Sequence, residues 1–195
     1  MHWLCCPAGD FTRDEYETAY RRLAPSRKAR LDRLKQEKDQ LRSLAAELLL
    51  HRLLEQAYGI TDARVESAEN GRPYLGNHPV FISLTHSGEW VACAASRNPI
   101  GIDMELCAPR DLNLARRFFR EEEIAYLLAD KSWEEIPSPC RDPALLERFY
   151  EIWTAKEAWF KLRGTGITDL KQVNILTLPR LRFLRDGYCI QLVWQ

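Results

Sequence analysis

Apolar residues recur at intervals of three and four between Lys38 and Tyr58, at Leu41, Leu44, Ala45, Leu48, Leu49, Leu53 and Leu54, and the pattern stops at Gly59. That spacing predicts a long amphipathic helix closed by a glycine cap. Upstream, "HWLCC" reads as a strand, Thr12 and Glu15 have capping-box spacing for a helix, and Pro25-Ser26 restarts a helical pattern. Beyond Gly59 the pattern changes to period two. A strand is expected at 64–68, then the turn "ENGRPYL", then the strand "VFISLT". "HSG" and "RNP" are turn signals on either side of "EWVACAAS", so 80–105 reads as an antiparallel meander ending in "IGIDMEL".

The second half repeats the theme of helix followed by strands. A helical stretch covers 112–128 with an interruption near Arg120. A loop spans "DKSWEEIPSPCRDP", and Asp142-Pro143 supplies an N-cap and first position for a helix running to Arg163 and ending at Gly164. "VNILTL" and a hairpin turning at Asp186-Gly187 are expected as closing strands. Because strands cluster in runs rather than alternating with helices, the fold class is α+β.

At 195 residues, with 46% hydrophobic positions, the chain suits one domain or two small halves sharing a core. Basic and acidic residues both total 28, which gives no support to a broad nucleic-acid-binding face. The balance is uneven locally. Residues 20–42 hold nine basic side chains against three acidic ones, a run that is either a solvated helix face or an anion site. The six cysteines form no C-x-x-C pair and read as reduced thiols. No apolar run approaches about eighteen residues and no basic-then-apolar leader is present, so the expectation is a cytoplasmic protein with no membrane segment.

Candidate chemistry begins at "GIDMEL", residues 101–106. In a strand, Ile100, Ile102 and Met104 share one face, while Gly101, Asp103 and Glu105 share the other. Two carboxylates thus point the same way beside a residue with no side chain to block approach. On the 143–163 helix the apolar stripe of Phe149, Ile152, Trp153, Trp159 and Phe160 is broken by Lys156, and Glu157 stands four residues before Lys161. A surface Glu157–Lys161 pair with a snorkelling Lys156 explains that helix alone. Taken with Asp103 and Glu105, Glu157 makes a third hard-oxygen ligand suited to Mg²⁺ and substrate phosphates.

Two motifs carry a family likeness. "GIDMEL" matches G-[IV]-D-x-E, and "WTAKEAWFK" matches [FW]-[SCT]-x-K-E-[AS]-x-x-K, in the same order; "GRPYL", "SLTHSGEW" and "LARRFFREEE" add to it. The chain resembles the 4′-phosphopantetheinyl transferase family, of the longer, surfactin-synthetase-activating type, from Pro25 to Gly166. The resemblance implies transfer of the phosphopantetheine arm of coenzyme A to a serine of an apo acyl or peptidyl carrier protein, releasing adenosine 3′,5′-bisphosphate. It implies Mg²⁺ held by Asp103, Glu105 and Glu157, with Glu157 as general base, directly or through a bound water, and Lys161 stabilising phosphate charge. Arg27, Arg30 and Arg42 align with positions that hold the phosphates of coenzyme A, and Arg72 with a basic residue near the nucleotide. Thr85 and His86 align with a further contact pair. Lys156 matches the family's lysine beside the glutamate, either as a phosphate contact or in helix positioning. The 49 residues between Asp103 and Trp153 exceed the usual family spacing, which places an insertion in the loop 131–142.

The implied fold is two similar subdomains, 1–98 and 99–195, related by a pseudo-two-fold, each with antiparallel strands packed on a long helix and coenzyme A in the cleft between them. A monomer is expected, since one chain would contain both halves. Two other readings fit D-x-E followed by E and K less completely. They are a Mg²⁺-dependent nuclease or phosphoesterase, and a non-catalytic carrier-binding protein.

Overall fold

The computed structural model describes residues 1–166 and 168–195. Strands β1 (His2–Pro7), β4 (Phe81–Ser87) and β5 (Trp90–Ser96) form an antiparallel sheet in the order β1-β5-β4, and β2 (Val65–Ser67) pairs with β3 (Pro73–Leu75) in a short ribbon. A second antiparallel sheet has the order β6-β8-β7, from β6 (Ile100–Leu106), β7 (Arg180–Arg185) and β8 (Tyr188–Trp194). The helices are α1 (Arg13–Arg22), α2 (Pro25–Leu31), α3 (Glu37–Tyr58), α4 (Leu114–Phe118), α5 (Glu121–Leu128) and α6 (Pro143–Arg163). The α+β class is therefore observed.

Local signals act where they were read. The amide of Glu15 donates to Thr12 Oγ1 while the Glu15 carboxylate accepts from the Thr12 amide, so α1 starts with a capping box. Asp142 caps α6 ahead of Pro143, and both long helices end on a left-handed glycine, Gly59 and Gly164. Asp186 and Gly187, both at positive φ, turn the β7–β8 hairpin.

β5 explains how the layers stack. Its residues alternate between Val91, Cys93 and Ala95, which pack with Leu49, Leu50 and Leu53 of α3, and Ala92 and Ala94, which meet Ile100, Ile102, Met104, Ile190 and Leu192 of the second sheet. Small side chains on both faces let a central strand be buried twice over. α6 covers the far face of the second sheet, where Ala158 and Leu162 lie against Val193.

Two expectations are corrected. The 80–105 meander stops after the β4–β5 hairpin, because both edges of β5 are already occupied by β1 and β4, so β6 crosses over to pair with β8. "VNILTL" forms no strand. It lies in the segment containing two single 3₁₀ turns, Leu170–Gln172 and Ile175–Thr177, whose backbone groups are met by side chains instead of a ladder partner. Asp169 accepts the Lys171 amide, Asn174 accepts the Leu176 amide, and Glu123 accepts the Ile175 amide.

Candidate active site

Asp103 and Glu105 leave β6 on the face covered by α6, and Glu157 enters from α6 itself. One carboxylate oxygen from each lies within 4.8 Å of the others, the one such acidic group among the described residues. The strand can approach the helix this closely because Gly101 has no side chain: a Cβ there would stand 1.9 Å from the carbonyl oxygen of Ala158. Asp103 is buried, and its Oδ1 accepts from Thr85 Oγ1 at 2.9 Å and from Lys161 Nζ at 2.6 Å. Its Oδ2 is buried without a hydrogen-bond partner. An orphaned carboxylate oxygen beside two more carboxylates is the donor set a hard divalent cation takes, so the residues fit Mg²⁺.

The electrostatics carry the same signature. Burial and then the Asp103 charge lift the Glu157 carboxyl to about 8, with Lys161 opposing the rise. Burial also raises Glu105, against the hydrogen bond it accepts from Ser87 Oγ at 2.8 Å. One ammonium, that of Lys161, faces three carboxylates, so the cluster is short of positive charge.

A cleft of about 260 Å³ opens over these carboxylates and is walled on the other side by Arg27, Arg30 and His86 from the first half. It adjoins a hollow of about 210 Å³ that shares Arg30, Gly71, Pro73, Leu84, Glu157 and Lys161 and adds Asn70, Arg72 and Phe160. A larger hollow of about 670 Å³ lies between α1, α3 and β2, lined by groups such as Thr18, His51 and Arg64. Size does not decide the assignment; convergent charge does, and it is in the smaller cleft.

The expected basic residues divide by what they touch. Arg30 lines both hollows, lies against Gly71, and makes no ion pair among the described residues. Arg27 also faces the cleft, but is buried and bound to Glu47 at 2.9 Å. Arg42 holds the Gly88 carbonyl at 2.7 Å and contacts Asp39. Arg72 packs against Gly164 at the end of α6. Burial, then Arg42, lowers the pKa of His86 at the cleft mouth, which favours the neutral ring.

Lys156 is not among the side chains that line the two hollows. It is fully buried, paired with Glu123 at 2.7 Å, and donates to the carbonyls of Leu170 and Val173 at 2.7 and 2.8 Å. It neither snorkels nor lines the cleft, because α6 turns it toward α5 and the 170–175 segment. Lys161 likewise makes its ion pair with Asp103 rather than Glu157. Ser87 was missed, although hydroxyl residues at every second position of "SLTHS" were the available signal.

Fold and site together define an α+β protein in which a carboxylate cluster on one half faces arginines on the other. A family model described as the 4′-phosphopantetheinyl transferase superfamily matches residues 99–194, and one described as 4′-phosphopantetheinyl transferase, N-terminal, matches 10–98. The chain belongs to the 4′-phosphopantetheinyl transferase superfamily. It is similar to the 4′-phosphopantetheinyl transferase Sfp of Bacillus subtilis (strain 168), with 29% identity across 80% of this chain and 67% of that protein. The 4′-phosphopantetheinyl transferase gsp of Aneurinibacillus migulanus is 33% identical across 67% of this chain and 51% of its own length. HetI of a Nostoc species, also a 4′-phosphopantetheinyl transferase, is 30% identical across 80% and 66%. The aligned part spans between about half and two thirds of these relatives. No helix among the described residues is long and apolar enough to cross a membrane.

Proposed function

We propose that this chain transfers the 4′-phosphopantetheine arm of coenzyme A to a serine of an apo acyl or peptidyl carrier protein. The observation that carries the reading is the convergence of Asp103, Glu105 and Glu157 across one cleft from Arg30. Asp103, Glu105 and Glu157 would hold Mg²⁺, which neutralises pyrophosphate charge and orients it. Arg30, with Arg27, Arg72 and His86, lines the wall for the phosphates of coenzyme A, with the charge of Arg42 close to His86, and Thr85 keeps Asp103 in place.

In the transfer the carrier serine oxygen bonds to the β-phosphorus as the bond from that phosphorus to the bridging oxygen breaks. Adenosine 3′,5′-bisphosphate departs with the bond's electrons. Glu157, directly or through a bound water, takes the serine proton. Lys161, already beside the cluster, offsets charge on the phosphate oxygens.

The 22-residue α3 and the 21-residue α6, each laid on a three-stranded antiparallel sheet and ended by a left-handed glycine, support two halves, 1–98 and 99–195, related by a pseudo-two-fold. Both walls of the cleft coming from one chain supports a functional monomer. The six unpaired thiols fit a reducing, cytoplasmic setting.

The test is intact-mass analysis of an apo acyl carrier protein and an apo peptidyl carrier domain, each incubated with this protein, coenzyme A and Mg²⁺, with EDTA controls. Gain of one phosphopantetheine arm, lost with EDTA, is the expected result. No gain on either carrier and no binding of coenzyme A would return the site to a phosphoesterase reading.

A further inference from the structure

β4 and β6 belong to different sheets, yet they run side by side, and side chains replace the missing ladder. Ser83, Thr85 and Ser87 alternate along β4 and so share one face. Ser83 Oγ accepts the Ile102 amide at 3.0 Å, Thr85 Oγ1 donates to Asp103, and Ser87 Oγ accepts the Leu106 amide at 3.1 Å.

Ser87 does two things at once. A hydroxyl has one proton to give. With the Leu106 amide filling a lone pair, that proton is directed at Glu105 Oε2, 2.8 Å away. Among the described residues Ser87 is the one hydrogen-bond donor to Glu105, whereas Asp103 is short, buried and held by two donors. The next residue, Gly88, turns the chain at φ 53° with its carbonyl fixed by Arg42, so the serine is mounted on an anchored turn.

We propose that Ser87 is the positioning residue that aims Glu105 at the divalent cation, so that the first half of the chain sets the geometry of a site whose carboxylates all come from the second. The proposal rests on the metal reading of the cluster. Groups that hydrogen-bond a metal's carboxylates set their orientation, and removing one costs on the order of 10- to 100-fold in affinity.

The test titrates the full-length protein with Mn²⁺ alone, reading free ion by its paramagnetic resonance signal, and follows thermal unfolding of each variant in parallel. Ser87→Ala should weaken Mn²⁺ binding about tenfold or more, and Ser87→Thr, which keeps the hydroxyl, should restore it. Ser83→Ala removes an equivalent seam hydrogen bond that touches no carboxylate; it should lower the melting temperature and leave the Mn²⁺ affinity alone. A Ser87→Ala affinity within twofold of wild type, or an equal loss in Ser83→Ala, overturns the positioning role while leaving the metal site intact. A wild-type protein that binds no Mn²⁺ overturns the metal reading and this proposal together.

Discussion

Lys161 Nζ on α6 stands 2.6 Å from Asp103 Oδ1 on β6 and 3.3 Å from the carbonyl of Leu84 on β4. One ammonium thus ties the helix that carries Glu157 to both strands that build the cleft, and supplies positive charge to a cluster that is short of it. A phosphate entering the cleft would find this charge already in place, with no side chain to reorganise. Replacing Lys161 with Met should lower the transfer rate constant kcat by about 10²-fold, with Arg recovering part of it. Single-turnover kinetics at saturating coenzyme A would check this, and an unchanged rate would reduce Lys161 to a structural tie.

Asp103→Asn keeps the shape and the acceptor oxygen for Thr85 but removes the charge that faces Lys161 and the orphaned oxygen. Transfer should fall by about 10² to 10³-fold, with far-ultraviolet circular dichroism unchanged. Full Mg²⁺-dependent activity in this variant would sink the metal assignment.

The two variants test residues whose placement was readable at very different levels. That Asp103 and Glu105 share a face follows from the two-residue period of a strand, and the ends of α1, α3 and α6 follow from Thr12, Asp142, Gly59 and Gly164, all local chemistry. The partner of β6 was not readable, since it depends on the second edge of β5 being filled by β1, a strand from the far end of the first half, while β4 holds the other edge as its hairpin neighbour. Lys156 shows the same limit: its position in the helix is clear, but its partner Glu123 lies on another helix, and only the packing of α5 on α6 decides whether that lysine faces ligand or core. Side chains that stand in for backbone partners, as Glu123 does for Ile175, likewise leave no periodic trace.

The raised Glu157 carboxyl predicts a pH dependence. Its folded value of about 8 exceeds its ordinary 4.5, so folding favours the protonated form. Its contribution to stability is full below the ordinary value and is lost as pH climbs through the folded one. Metal-free protein should therefore lose melting temperature from about pH 4.5 until the loss levels off a little above pH 8, and Mg²⁺, which favours the carboxylate, should stabilise it more at the upper end than at the lower. Glu157→Gln should flatten both trends. An equal Mg²⁺ effect at both ends would remove Glu157 from the ligand set.

The Glu123–Lys156 pair is completely buried and hydrogen-bonded to the 170–175 segment on both sides. Lys156→Met strands a buried carboxylate and should cost about 3–5 kcal/mol in denaturant unfolding. The double variant with Glu123→Gln should recover part of that loss. Protein that folds should keep its affinity for coenzyme A, measured calorimetrically, whereas a loss of affinity larger than the unfolded fraction would return Lys156 to the phosphate contacts.

Gly101 is the glycine of the first motif, and its missing side chain admits a helix rather than a ligand. A Cβ would meet the Ala158 carbonyl oxygen at 1.9 Å and the Leu162 nitrogen at 2.8 Å, both backbone atoms of α6, which no rotamer change can move aside. Gly101→Ala must therefore push α6 off β6, and Ala158 is the neighbour of Glu157. The expected cost is at the upper end of the ~1–3 kcal/mol typical of overpacking, accompanied by loss of Mn²⁺ binding as Glu157 withdraws from Asp103 and Glu105. Gly9→Ala, where a Cβ meets nothing within 4 Å, is the matched control and should leave the metal affinity unaltered. Melting curves and Mn²⁺ titrations of the two variants separate the outcomes: a Gly101→Ala protein with wild-type affinity would mean that the helix-to-strand distance does not set the carboxylate cluster.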